Sequence, residues 1–303
     1  MTRSPVSAKL RRIMPLVLVG GLSACGEDAI SPMPVVRISA APMLFTSRID
    51  GNFDIYITEA DGTQARRLTY DVGVDQSADW APDRFTFAFM SNRDGDFEVF
   101  VMGSTGRGLR QLTNNTASDG FPRWSPDGSH LLFTSNREGT FDLFVMDADG
   151  TNVRRVTRNA GDNVGGAWSP DGSRIAFVST RSGTEEIYVM QADGTNQVRV
   201  TNNAAVEGGK LVWSPDGSRI AFHAYQDGDA DIYVMDADGG NLRQLTRTPA
   251  TERYPTWSPD GQRIAFTTDR DSDDEVYVMN ADGAGPLRLT TRVGLDVLDS
   301  WHR

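Results

Sequence analysis

Three histidines, one cysteine and, after Lys9, a single lysine at position 210 are all that this 303-residue chain holds of three side chains that often carry metals or covalent chemistry. One cysteine excludes an internal disulfide framework. His130, His223 and His302 fall in unrelated contexts, so neither a metal triad nor a nucleophile–base pair is evident. A Gly-x-Ser-x-Gly elbow is missing, as is a phosphate-binding glycine loop. Positive charge is short as well: 30 Lys+Arg face 41 Asp+Glu, and four of the basic residues (Arg3, Lys9, Arg11, Arg12) crowd into the first 24 positions. The acidic remainder disfavours nucleic acid and anionic lipid surfaces as partners. Its positive charge is nearly all guanidinium, which suits fixed hydrogen-bonded pairs.

Long hydrophobic runs are also lacking. The longest, Ile13 to Leu22, is too short to span a bilayer and follows a basic stretch, the pattern of a signal peptide over residues 1–24. It ends Leu22-Ser23-Ala24-Cys25, which resembles a bacterial lipobox, in which cleavage precedes a cysteine that carries lipid. That resemblance implies lipidation at Cys25, and Gly26 after it implies the outer membrane, facing the periplasm. Lipid contributes about 0.8 kcal/mol per buried methylene, and more than one chain makes anchoring stable. Residues 25–42, with three prolines and no periodicity, read as a lipidated tether.

What the chain has in abundance is one motif. Trp-Ser-Pro-Asp-Gly begins at Trp124, Trp168, Trp213 and Trp257; a degraded copy begins at Trp80, and Trp301 stands alone near the end. All six tryptophans belong to this series, at separations of 44, 44, 45, 44 and 44 residues. That period belongs to propeller blades or solenoid repeats. Between the turns run short Val-, Ile-, Phe- and Tyr-rich segments such as Ile187-Tyr-Val-Met190, apolar on both faces, which fits sheets stacked around an axis. Proline presets the Ser-Pro-Asp-Gly turn and glycine accepts the conformation that follows.

Register decides between ring and solenoid. The first repeat starts at Met43-Leu-Phe-Thr-Ser-Arg48 without a tryptophan strand, and the last segment, ending at Trp301, is a tryptophan strand with nothing after it. Each fragment completes the other. The expectation is an all-β, six-bladed β-propeller over residues 43–303, with four-stranded antiparallel blades and a ring closed by the C-terminal strand completing the first blade. A solenoid would instead carry polar capping repeats.

Trp168-Ser-Pro-Asp-Gly-Ser-Arg-Ile-Ala-Phe177, the Ser-Asn-Arg of 91–93 and 135–137, Asp231-Ile-Tyr-Val-Met-Asp-Ala-Asp-Gly239 and Arg243-Gln-Leu-Thr246 resemble the repeats of TolB-type six-bladed propellers. The resemblance covers roughly 43–303 and speaks to fold far more than to function. It implies an envelope protein that docks on other proteins. TolB carries an additional N-terminal α/β domain where this chain has its short tether. Some lyases with related propellers use a histidine-containing metal site, which has no counterpart here, and related peptidases carry a hydrolase domain after the ring.

Two side-chain series accompany the tryptophans. Asp75, Asp119, Asn163, Glu207, Glu252 and Asp296 open the innermost strands and form a candidate ring at one channel mouth, where a Ca²⁺ ion or a basic segment would relieve their repulsion. Arg48/Asp54, Arg93/Glu98, Arg137/Asp142, Arg181/Glu186 and Arg270/Glu275 are expected as ion pairs across the hairpin between second and third strands; the fifth repeat has Ala224-Tyr225-Gln226 instead. Asp227-Gly-Asp229-Ala-Asp231 and Asp269-Arg-Asp271-Ser-Asp273 space their carboxylates as calcium loops do, but lack the glycine and glutamate an EF-hand requires, and read as hairpin loops. The resulting expectation is a monomeric, non-catalytic, cofactor-free binding or scaffolding propeller lipoprotein of the cell envelope, with a basic protein or peptide as partner. The alternative is a hydrolytic, carbohydrate-processing enzyme using carboxylates such as Asp119 and Glu252 at the channel mouth.

Overall fold

The computed structural model describes residues 41–48, 51–202, 206–207, 210–225, 228–290 and 296–301. Residues 1–40, with Cys25, and the side chain of Glu207 lie outside this set. Six antiparallel sheets follow in order, each built from one repeat. Blade 2 is typical: an inner strand Asp75–Trp80, a second strand Thr86–Ser91, a third Glu98–Gly103 and a two-residue outer strand Arg110–Gln111. Blade 1 consists of Met43–Ser47, Asp54–Thr58 and Arg66–Arg67, and its inner strand is Asp296–Trp301 from the far end of the chain. Met43 lies opposite Trp301 and Ser47 opposite Asp296. The ring closes as the split repeat requires.

The motif turns explain the regular spacing. In Ser169-Pro-Asp-Gly172 the Ser169 hydroxyl donates to Asp171 at 2.5 Å and accepts from the Arg174 amide at 2.9 Å, while the Gly172 amide donates to the Ser169 carbonyl at 2.8 Å. Hydrogen bonds from the Ser169 hydroxyl and from the Ser173 amide and hydroxyl hold the Asp171 carboxyl down at about 2, the Ser169 hydroxyl contributing most. Gly172 needs its left-handed φ of 71°. A Cβ there would sit 3.7 Å from Pro126 of the previous blade's turn, and Gly217 stands to Pro170 in the same way, so successive turns nest against one another.

The core lies between blades. Leu132, Leu143 and Val145 of blade 3 (Asp119–Trp124, His130–Ser135, Asp142–Asp147 and Arg154–Arg155) pack with Trp168, Phe177 and Tyr188 of blade 4 (Asn163–Trp168, Arg174–Ser179, Glu186–Gln191 and Val198–Arg199). Each tryptophan sits in such a cluster, and the last cluster joins Val276 and Val278 of blade 6 to Met43 and Trp301 of blade 1. Blade 6 comprises Glu252–Trp257, Arg263–Thr268, Glu275–Asn280 and Leu287–Arg288. The tryptophan motif is therefore the adhesive between blades, each burial supplying roughly 1.5–3 kcal/mol.

Blade 5 departs from the pattern. Its inner strand is in two pieces, Val206–Glu207 and Val212–Trp213, followed by seven-residue strands Arg219–Tyr225 and Ala230–Asp236 and the outer Arg243–Gln244. The break coincides with the one 45-residue spacing between tryptophans, and Lys210 lies inside it.

Candidate functional site: the axial channel

The acids that open the inner strands occupy their expected places but do not line the channel freely. Asp75, Asp119, Asn163, Glu252 and Asp296 are fully buried. Asp75 accepts from Arg93 at 3.0 Å, Asp119 from Arg137 at 2.7 Å, Asn163 Oδ1 from Arg181 at 2.7 Å and Glu252 from Arg270 at 3.0 Å, while Ser47 donates to Asp296 at 2.6 Å. Every one of these partners belongs to the same blade as its acid. Each arginine also lies over two rings of its own blade, as Arg137 does over Phe133 and Phe144 at 5.2 and 4.9 Å.

This overturns the expected pairing of the arginines with the acids that open the third strands, none of which forms among the described residues. The Arg93 Nε donates to Ser91 at 2.9 Å, which turns the guanidinium toward the inner strand rather than the outer one. The third-strand acids are taken from the other side by outer-strand arginines: Arg67–Asp54 at 2.6 Å, Arg155–Asp142 at 2.5 Å, Arg199–Glu186 at 3.3 Å, and Arg288–Glu275. In blade 5 Gln244 donates to Asp231 at 2.8 Å instead. In blade 2 the corresponding residue is Gln111, and Glu98 has only the Asn115 amide (2.6 Å) and Thr113 to relieve it; burial pushes its carboxyl up to about 7. Among the described residues no three or more His, Cys, Asp or Glu side chains are grouped to hold a metal ion. Asp269 and Asp271 are engaged by the Thr251 amide and by Tyr277 and Arg288.

The channel wall is made by the residues between the opening acid and the tryptophan. At the third inner-strand position, Ser77, Phe121, Gly165 and Tyr254 all have left-handed φ, between 53° and 66°. At these places the pairing to the second strand shifts, for example between Gly120 and Arg123. The bulge re-aims the side chains of Ser77, Phe121 and Tyr254, which line the channel. Holding Ser, Phe or Tyr there is strained by about 1–2 kcal/mol each.

On the side of the blade-to-blade connections these residues open into a cavity of about 580 Å³, whose wall includes Phe53, Phe121, Glu185, His223, Tyr225 and Tyr254. On the opposite side, among the tryptophans and the prolines of the motif turns, lies a second cavity of about 330 Å³. Both are bounded by Arg123, Lys210 and Asp299, which form the waist of the channel. Lys210 donates to the backbone carbonyls of Leu298 (2.9 Å) and Asp299 (2.6 Å), and the Asp299 carboxylate accepts from Thr46 at 2.7 Å. Burial pushes the Lys210 ammonium down to about 7, helped by Arg123, and pushes the Asp299 carboxyl up to about 6. His223 lies edge-on between Tyr225 and Tyr254, and burial, with Arg253 and Lys210 nearby, lowers it to about 4, so its ring is neutral at neutral pH.

None of Arg123, Lys210, His223, Tyr254 or Asp299 stood out in the repeat as a site. The available signals were the divergence of the four residues before each tryptophan and the solitary lysine beside the one-residue insertion.

A closed ring of six blades with a bulged inner wall defines a six-bladed β-propeller. The chain belongs to the TolB beta propeller domain family, whose model matches residues 105–211 and 206–302. Among solved structures it is similar to TolB from Acinetobacter baumannii (25% identity, TM-score 0.78), where the match covers 86% of this chain and 66% of that one. An Agrobacterium tumefaciens protein assigned to TolB matches at 20% identity and TM-score 0.69, over 86% of this chain and 92% of that one. An oligogalacturonate lyase in complex with manganese shares the fold at 20% identity and TM-score 0.60, over 84% and 75%. No curated protein matches in sequence.

Proposed function

We propose that the protein is a non-catalytic docking module of the bacterial cell envelope that receives a protein or peptide on the face carrying the blade-to-blade connections. The loop-side mouth carries the reading. Phe121 is 43% exposed and Tyr225 38%, and on the neighbouring connection Tyr70 and Val72 are 72% and 96% exposed. Phe121 and Tyr225 line the loop-side cavity, and exposed apolar side chains at a concave mouth favour macromolecular contact. The half-buried Glu185, whose carboxyl burial pushes up, and the acidic balance of the chain favour a basic partner segment. Membership of the TolB propeller family supports the envelope setting, while the Leu22-Ser-Ala-Cys25 sequence and Gly26 support Cys25 as a lipid anchor in the outer membrane.

Crosslinking and affinity capture from intact envelopes tests this: a stoichiometric partner lost on Phe121→Ser with Tyr225→Ser supports docking, and its retention contradicts it. Anchoring is tested separately, since Cys25→Ala should leave the membrane fraction. For the hydrolytic alternative, Asp119 and Glu252 are each buried against an arginine, which favours a structural role for the pair. Turnover abolished by Glu252→Gln in a protein that still folds would support the alternative instead.

A further inference from the structure

The waist of the channel holds charges that neither the blade frame nor the docking reading uses. Lys210 is the only lysine of the ring, and it sits 8% exposed in the break of blade 5. Burying an ammonium is costly unless something compensates it. Two of its three N–H groups are spent on the Leu298 and Asp299 carbonyls, leaving one. Arg123 comes from blade 3, donates to the carbonyl of its own neighbour Pro122 at 3.0 Å and makes no ion pair among the described residues, unlike Arg93, Arg137 and Arg270. It reaches both cavities. A guanidinium with spare donors beside an ammonium, in a channel open from either mouth, has the composition of an anion site, and a planar carboxylate matches the guanidinium fork.

We propose that Arg123 and Lys210 form a carboxylate-binding site at the waist of the channel, filled either by a small organic acid or by the C-terminal carboxylate of a peptide entering from the loop side. The site is independent of whether a protein docks on the mouth, and it is tested without one. The groups facing it are Arg123, Lys210, Asp79 and Asp299, with His223 and Arg253 behind Lys210. As pH falls from 8 toward 6, Lys210 gains its proton and then Asp299 does, since burial has set them at about 7 and about 6. Both changes make the waist more positive, so carboxylate binding strengthens toward pH 6 and is accompanied by proton uptake.

The test uses calorimetric titration of the full chain with sodium acetate against sodium chloride at equal ionic strength, then with trialanine bearing a free or an amidated C-terminus. Acetate binding that chloride does not reproduce, tightening from pH 8 to pH 6 and weakened at least 10-fold in Arg123→Gln, is expected. Trialanine acid binding where the amide does not assigns the site to peptide termini; acetate binding alone assigns it to small acids. Lys210→Met, whose amine also ties blade 5 to the closing strand, is read only if its melt stays cooperative. Equal behaviour of acetate and chloride, or acetate binding unchanged in Arg123→Gln, would overturn the proposal.

Discussion

At the residue scale, Glu98 shows what the polar frame does by lacking part of it. Four blades give the third-strand acid an arginine and blade 5 gives it a glutamine bond, whereas Glu98 faces Gln111 and is held up at about 7. A folded-state value above the unfolded one means that its contribution to stability is fully present below about 4.5 and is lost as pH rises through about 7. Glu98→Gln should therefore stabilise the protein at pH 8 by about 1–2 kcal/mol, discounted for solvent screening near the loop, and leave it unchanged at pH 4.5. Gln111→Arg should recreate the pair of its sister blades and lower the Glu98 carboxyl; denaturant melts at both pH values check the two variants. The positions of these acids were legible from the 44-residue phase. Their partners were not, because a second strand has neighbours on both sides and only the Ser91–Arg93 contact selects one.

At the scale of the element, the inner strand carries both order and strain. Its ends are set by repeated residues, the acid and the tryptophan, and were readable. The bulge between them was hidden, since Ser77, Phe121 and Tyr254 are not residues that announce a left-handed φ; only Gly165 hinted at it. Phe121→Gly should relieve about 1–2 kcal/mol of backbone strain, partly offset by lost contact, giving an equal or higher melting temperature together with weaker partner capture. A fall of several degrees would mean that Phe121 is held for packing instead. In the motif turn, Ser169→Ala removes a donor to Asp171 and an acceptor for the Arg174 amide, at an expected cost of about 1–2 kcal/mol in chemical denaturation.

At the scale of the whole molecule, ring closure was written in the sequence, because a repeat split between the termini has only one way to bury both halves. The final strand pairs along Met43–Ser47 and buries Leu298 and Trp301 against blade 6. Deleting residues 294–303 should destabilise the ring cooperatively, seen as one melting transition displaced by many degrees; an unchanged melt would contradict closure. Function was less legible for the same reason that fold was plain. The six-fold repetition records what every blade needs, while the channel residues occur once each and have no copies to set them in relief.

In the docking proposed here, the single-copy residues of the loop-side mouth, and not the repeated motif, meet the partner. Its most direct measurement is site-specific photocrosslinking in intact cells from position 121 and, on the opposite face, from position 171. A discrete adduct from 121 and none from 171 is expected; adducts from 171 alone, or from neither position, would contradict it.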